Sequence, residues 1–151
     1  MRATGGCQCG GVRYVFDGDP LMTYACHCRD CQRRTGSAFS EGILIAAEQV
    51  SIEGELTRWQ RVADTGVDKT RQSCATCGNI IFGTAANMPG LMLLQAGTLD
   101  DTSAVRPDVH IWLRSAQPWV VVPAGVPSWQ TQPDDMTELL QAAVAYRQSP
   151  G

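Results

Sequence analysis

A chain of 151 residues is long enough to bury a core, and the expectation is a single domain over residues 1–151. Its formal net charge of −3 provides no overall electrostatic footprint for nucleic acid, and no apolar run reaches the length of a membrane span. The N-terminal Met1-Arg2-Ala3-Thr4-Gly5-Gly6 lacks the apolar centre of a signal peptide, so the expected location is the cytoplasm.

The first signal along the chain is Cys7-Gln8-Cys9 followed by Gly10-Gly11, where glycine permits the positive φ that a metal-holding turn commonly needs. Val12-Arg13-Tyr14-Val15-Phe16 then alternates as a half-buried strand, ended by Asp17-Gly18-Asp19-Pro20. Leu21 to Ala25 leads into Cys26-His27-Cys28-Arg29-Asp30-Cys31, three thiols within six residues. Gln32 to Thr35 suits one helical turn stopped by Gly36, which puts Cys31 near a helix N-terminus where a thiolate is favoured. Ala38 to Ala47 reads as a strand, and Val50 to Glu55 and Leu56 to Arg61 as two short strands around a turn at Gly54.

Ala63 to Lys69 is polar and reads as a loop, after which Lys69 to Ser73 enters a second cysteine pair, Cys74-Ala75-Thr76-Cys77-Gly78. Asn79 to Thr84 leaves that pair as a strand, and Asn87-Met88-Pro89-Gly90 turns the chain. Leu91 to Leu99 and Val109 to Leu113 are further strands, while Pro107, Pro118, Pro123 and Pro127 cut the later chain into short extended pieces. Met136, Leu139, Leu140, Ala143 and Val144 fall at helical spacing, with Asp135 and Glu138 offered as a capping box. Many short strands and one terminal helix define a mainly β fold.

Seven cysteines do not suit a fully paired disulfide framework, and in a reducing compartment such clusters mark metal binding or catalysis. Cys7, Cys9, Cys74 and Cys77 can close a four-cysteine structural zinc site, tying together two pairs with 64 residues between Cys9 and Cys74. That leaves Cys26, Cys28 and Cys31 as a three-ligand set, and three protein ligands are the mark of a catalytic zinc. The fourth position could take water, a substrate thiolate or a protein group. His27 is available as that ligand, but a residue between two ligands points its ring away from their ion, so a packed or supporting role is expected. His110, in the apolar run Val109 to Trp112, reads as a hydrogen-bonded core or edge residue. Nucleobase deamination is not expected, since the required glutamate two residues after the first ligand is here Cys28. A thiolate-rich zinc suits holding a further thiolate for attack on an electrophile. Arg29, Arg33 and Arg34 form a local positive patch that either is solvated or draws an anionic thiol by its carboxylates.

Four stretches carry a resemblance: Gly6 to Tyr14, Cys26 to Arg33, Gly36-Ser37-Ala38-Phe39, and Cys74 to Gly78. Together with His110-Ile111-Trp112, Ser115 and Pro118-Trp119, they resemble the glutathione-dependent formaldehyde-activating enzyme family, which includes centromere protein V. Ser73 departs from the pattern, which often has an aromatic there. The resemblance implies a β-tent fold with two Zn²⁺ per chain, a structural ion on Cys7, Cys9, Cys74 and Cys77, and a catalytic ion on Cys26, Cys28 and Cys31. It further implies a carbon–sulfur lyase of the S-(hydroxymethyl)glutathione synthase type. Glutathione is then the expected thiol, with Arg33 and Arg34 as candidates to bind it. The partners expected are a small-molecule thiol, no nucleic acid and no membrane, in a monomer or homodimer. The alternative is a non-catalytic zinc protein that carries a thiol or formaldehyde or serves as an interaction module.

Overall fold

Short alternating apolar runs separated by glycine, proline and polar turns favour short strands over helices, and strands dominate the computed structural model. It describes residues 1–63 and 65–149; Asp64, within the expected loop, and Pro150 and Gly151 lie outside them. The strands are β1 (Arg2–Gly6), β2 (Arg13–Asp17), β3 (Met22–Cys26), β4 (Ser40–Ala46) and β5 (Val50–Glu53). They continue with β6 (Leu56–Val62), β7 (Asp68–Cys74), β8 (Ile80–Ala85), β9 (Leu91–Gln95) and β10 (Val109–Ile111). The helices are α1 (Arg29–Thr35) and α2 (Met136–Gln148). The chain divides into two compact units, Met1–Leu21 with Ile43–Ala104, and Met22–Gly42 with Val105–Gly151.

In the first unit, β1, β2 and β5 form an antiparallel sheet with β2 central. Its inward side chains Tyr14 and Phe16 are buried, as their alternation foretold. β1 carries no such signal. Its Arg-Ala-Thr-Gly-Gly sequence is neither apolar nor β-branched enough, and it is a strand because every residue pairs with β2, from Arg2 opposite Asp17 to Gly6 opposite Arg13. The expected strands about Gly54 both exist but belong to different sheets: β5 pairs with β2, whereas β6 pairs with β7. β7 pairs in turn with β8, and β8 with β9, so that an antiparallel meander presents the second cysteine pair at its β7–β8 turn. The strand expected over Leu91 to Leu99 stops at Gln95, because Ala96–Thr98 closes into a 3₁₀ turn.

In the second unit, β10 runs parallel to β3, with His110 opposite Ala25 and Ile111 opposite Cys26. All five residues of β3 are buried, so it shows no alternation that would mark it as a strand. Asp108, also buried, accepts a hydrogen bond from the Thr23 amide at 2.7 Å and fixes the start of this pairing. The predicted strand Val109 to Leu113 ends at Ile111, since Trp112 takes φ 64° and opens a 3₁₀ turn over Leu113–Ser115. α2 forms as its spacing requires, burying Leu139 and Ala143. Its expected capping box does not close: Asp135 caps the Thr137 amide at 2.8 Å, but Glu138 accepts from Trp129 Nε1 at 3.0 Å.

Two candidate metal centres

Each cysteine pair of the first unit sits on a tight turn closed by a left-handed glycine. Cys7 accepts from the Gly10 amide and Cys74 from the Gly78 amide through their carbonyls, and Gly10 (φ 77°) and Gly78 (φ 74°) reverse the chain just after the second cysteine. The two turns are pinned together by Gln8, whose amide donates to Asn79 Oδ1 at 3.1 Å. Cys7 Sγ lies 3.5 Å from Cys9 Sγ, which lies 3.7 Å from Cys74 Sγ, and all four sulfurs are within 4.8 Å of one another. Four sulfurs about 2.3 Å from a tetrahedral zinc would be roughly 3.8 Å apart, close to the two shortest separations here, so the donor set could hold a metal ion. Burial pushes the Cys7 thiol up, but the Val12 amide and the sulfurs of Cys9, Cys74 and Cys77 outweigh it and bring it down to about 6. Cys9 moves the other way, to about 11: the Gly11 amide lowers it, yet the three neighbouring sulfurs prevail. Crowded thiols thus share their negative charge unequally, a conflict that a cation would remove.

The second set lies within the other unit. Cys26 ends β3, Cys28 is the N-cap of α1, and Cys31 is in its first turn. The Cys28 sulfur takes the place of the usual capping oxygen, accepting from the Cys31 amide at 3.4 Å. The predicted helical turn is thus longer than expected, beginning at Arg29, though it stops at Gly36 as anticipated. The three sulfurs lie within 4.8 Å of one another, and among the described residues no histidine or carboxylate joins the group. They too could hold a metal ion. The nearby Cys28 and Cys31 sulfurs drive Cys26 strongly towards the protonated thiol, while Cys31, accepting from both neighbours, is driven strongly towards thiolate.

Gln32 clamps this loop. Buried, it donates from Nε2 to the His27 and Ser115 carbonyls, each at 2.8 Å, and accepts at Oε1 from Gln117 at 2.9 Å and from Arg29. His27 is fully buried and turned to His110, Nε2 to Nδ1 at 3.0 Å, and its ring centroid is 5.1 Å from that of Phe39. His27 is thus packed against His110 and does not join the three sulfurs, in keeping with the packed position expected of it. Of the three arginines, Arg33 is exposed, whereas Arg34 turns inward to donate to Cys31 Sγ at 3.8 Å and to the buried Ser40 hydroxyl. Gln32, Ser40, Ser115 and Gln117 were not among the expected site residues. A glutamine in a polar helical turn carries no sign that it faces inward.

A family model described as glutathione-dependent formaldehyde-activating enzyme matches residues 2–115. Among solved structures, a structural-genomics crystal structure of a Rhodobacter sphaeroides protein superposes with a TM-score of 0.51 over 69% of this chain and 91% of that one. At 22% identity, that likeness is one of fold. No curated protein matches the chain. No described helix is long and apolar enough to cross a membrane.

Proposed function

This chain belongs to the glutathione-dependent formaldehyde-activating enzyme family, and from that membership we propose that it is a zinc-dependent carbon–sulfur lyase joining formaldehyde to glutathione. The observation that carries the reading is the inequality of the two donor sets: four sulfurs in one, three in the other, with the nearest histidine in sequence committed elsewhere. A four-cysteine shell is the pattern of a structural zinc, and a three-ligand shell the pattern of a catalytic one. We therefore assign Cys7, Cys9, Cys74 and Cys77 to a structural ion and Cys26, Cys28 and Cys31 to the catalytic one. All seven cysteines are free thiols, which suits a reducing compartment such as the cytoplasm.

A zinc ion on the three cysteines would keep a bound thiol sulfur in its thiolate form at neutral pH. In the proposed reaction the thiol sulfur's electron pair would form a C–S bond to the formaldehyde carbon. The C=O π pair moves to oxygen, which takes up a proton equal in number to the one the thiol released. Thiol and aldehyde thus become a hydroxymethyl thioether with every atom retained and no oxidant needed. Arg33, exposed in the last turn of α1, would meet a carboxylate of the thiol, while Gln32 holds the cysteine loop to the Ser115 and Gln117 segment.

Titration of glutathione into zinc-loaded protein, with formaldehyde consumption followed in parallel, tests the reading. Binding together with faster consumption is expected. Binding without consumption would make the protein a thiol carrier, and no binding at millimolar glutathione would overturn the proposal.

A further inference from the structure

We propose that Arg34 is a positioning residue of the three-cysteine centre: it holds a fixed positive charge against the Cys31 sulfur so that the centre can accept an additional anionic sulfur. The inference rests on the reading that these cysteines hold zinc and take a thiol, and it concerns how a centre already rich in negative charge can do so.

Cys31 and Arg34 are three positions apart on α1 and therefore share a face. Arg34 Nη2 lies 3.8 Å from Cys31 Sγ, and the same nitrogen donates to the Ser40 hydroxyl, which is 1% exposed at the start of β4. Nη2 is thus shared between the Cys31 sulfur and the Ser40 hydroxyl, with Arg34 half-buried. Arg33, one residue earlier, projects into solvent. Charge counting shows why the difference matters. Three thiolates on a divalent ion total −1, and a fourth brings −2 into a partly buried site. A guanidinium hydrogen-bonded to one sulfur cancels one of those charges. It also withdraws electron density from that sulfur, so the metal remains a better acceptor for the incoming thiolate. Arginine suits the task because its guanidinium stays charged and is more weakly hydrated than a lysine ammonium, so it is held beside a sulfur in a half-buried position at less desolvation cost.

The test uses full-length protein loaded with zinc or, for its visible spectrum, cobalt(II), as wild type, Arg34→Met, Arg34→Lys and Arg33→Met. The probe thiol is 2-mercaptoethanol, which has no carboxylate, followed by the sulfur-to-cobalt charge-transfer difference spectrum with metal content measured alongside. Losing a charge-assisted hydrogen bond should weaken thiol binding by roughly tenfold in Arg34→Met. Its charge-transfer band should move to lower energy, because the Cys31 sulfur becomes the stronger donor. Arg34→Lys should recover part of the loss, and Arg33→Met should bind 2-mercaptoethanol like wild type while losing affinity for glutathione. Wild-type affinity and an unshifted band in Arg34→Met would overturn the proposal. If that variant does not fold, Ser40→Ala decides, since it keeps the guanidinium but removes its anchor. A weakened affinity supports the proposal, and no change overturns it. If wild type binds neither thiol, the functional reading fails, and the band shift still decides whether Arg34 acts on Cys31.

Discussion

His110 Nδ1 lies 3.0 Å from His27 Nε2, with the two rings stacked at 5.2 Å between centroids and both residues buried. One proton serves that contact. His27 Nδ1 is buried without a partner, so a proton there would be an unsatisfied donor. The favoured tautomer therefore has His27 donating from Nε2 and His110 accepting at Nδ1.

His110 should stay neutral well below the usual histidine range, and His27 is shifted in the same direction. Burial, with His27 adjacent, brings His110 down to about 4, and burial lowers His27 too. A depressed folded value means that the unfolded chain binds the proton first. This part of the stability is intact above about pH 6.5 and is lost progressively as pH falls towards 4. For His110 alone the loss amounts to at most ~3 kcal/mol. Urea denaturation between pH 7 and pH 5 should show a shallower decline in His110→Gln than in wild type. The cysteines titrate in both, so they cancel in the comparison. Parallel declines would show that the pair does not stay neutral.

Removing one ligand from each centre should have unequal consequences. Cys74 belongs to a set that joins the turn after β1 to the turn after β7, and zinc binding coupled to folding contributes ~10 kcal/mol or more in small zinc domains. Cys74→Ser is expected to be metal-poor and largely insoluble. Cys26, Cys28 and Cys31 lie in one short segment, so Cys28→Ser should keep about one zinc per chain and a cooperative melt while losing thiol binding. Metal counting and melting curves on the two proteins test this; equal damage would erase the distinction between the centres.

Gly54 lets β5 hand the chain to β6 beside the first cysteine turn. It takes φ 105°, and a Cβ there would stand 2.1 Å from the Gly11 carbonyl oxygen and 2.8 Å from Val12 Cα. Backbone cannot yield as a side chain can, so Gly54→Ala should cost more than ~2 kcal/mol. Gly10, at φ 77°, has open space where its Cβ would go. Gly10→Ala should therefore cost only the ~1–2 kcal/mol of the left-handed conformation. Thermal unfolding of the pair measures the difference, and an equal cost would refute the close approach.

Gln32 donates to two carbonyls that have no reason to accept a carboxylate instead. Gln32→Leu should destabilise by about 2–4 kcal/mol, through the partners it leaves unsatisfied. Gln32→Glu should be worse at pH 8, where the oxygen replacing Nε2 faces the carbonyl oxygens of His27 and Ser115, and should partly recover at pH 5 as protonation restores a donor. Denaturant curves at the two pH values check the sign.

The division of cysteines was legible in the sequence because it depends on local geometry. Cys7 with Cys9, Cys74 with Cys77, and the trio from Cys26 to Cys31 are each held together by a few covalent steps, whatever the remainder of the fold does. The glycine that ends each knuckle, the stop at Gly36 and the buried face of α2 are local in the same sense. What escaped was decided by partners remote in the chain. β1 is a strand only because β2 pairs with it, and Glu138 leaves its cap only because Trp129 is near. Likewise, β5 and β6 part into different sheets although two residues separate them. His27 meets His110 across 83 positions, by the parallel register that sets Ala25 against His110. Arg33 and Arg34 look interchangeable as adjacent charges, yet only the fold brings Ser40 to one of them. A side chain's orientation follows from the hydrogen bonds and burial available where it lands, and those are properties of the assembled tertiary structure rather than of spacing along the chain.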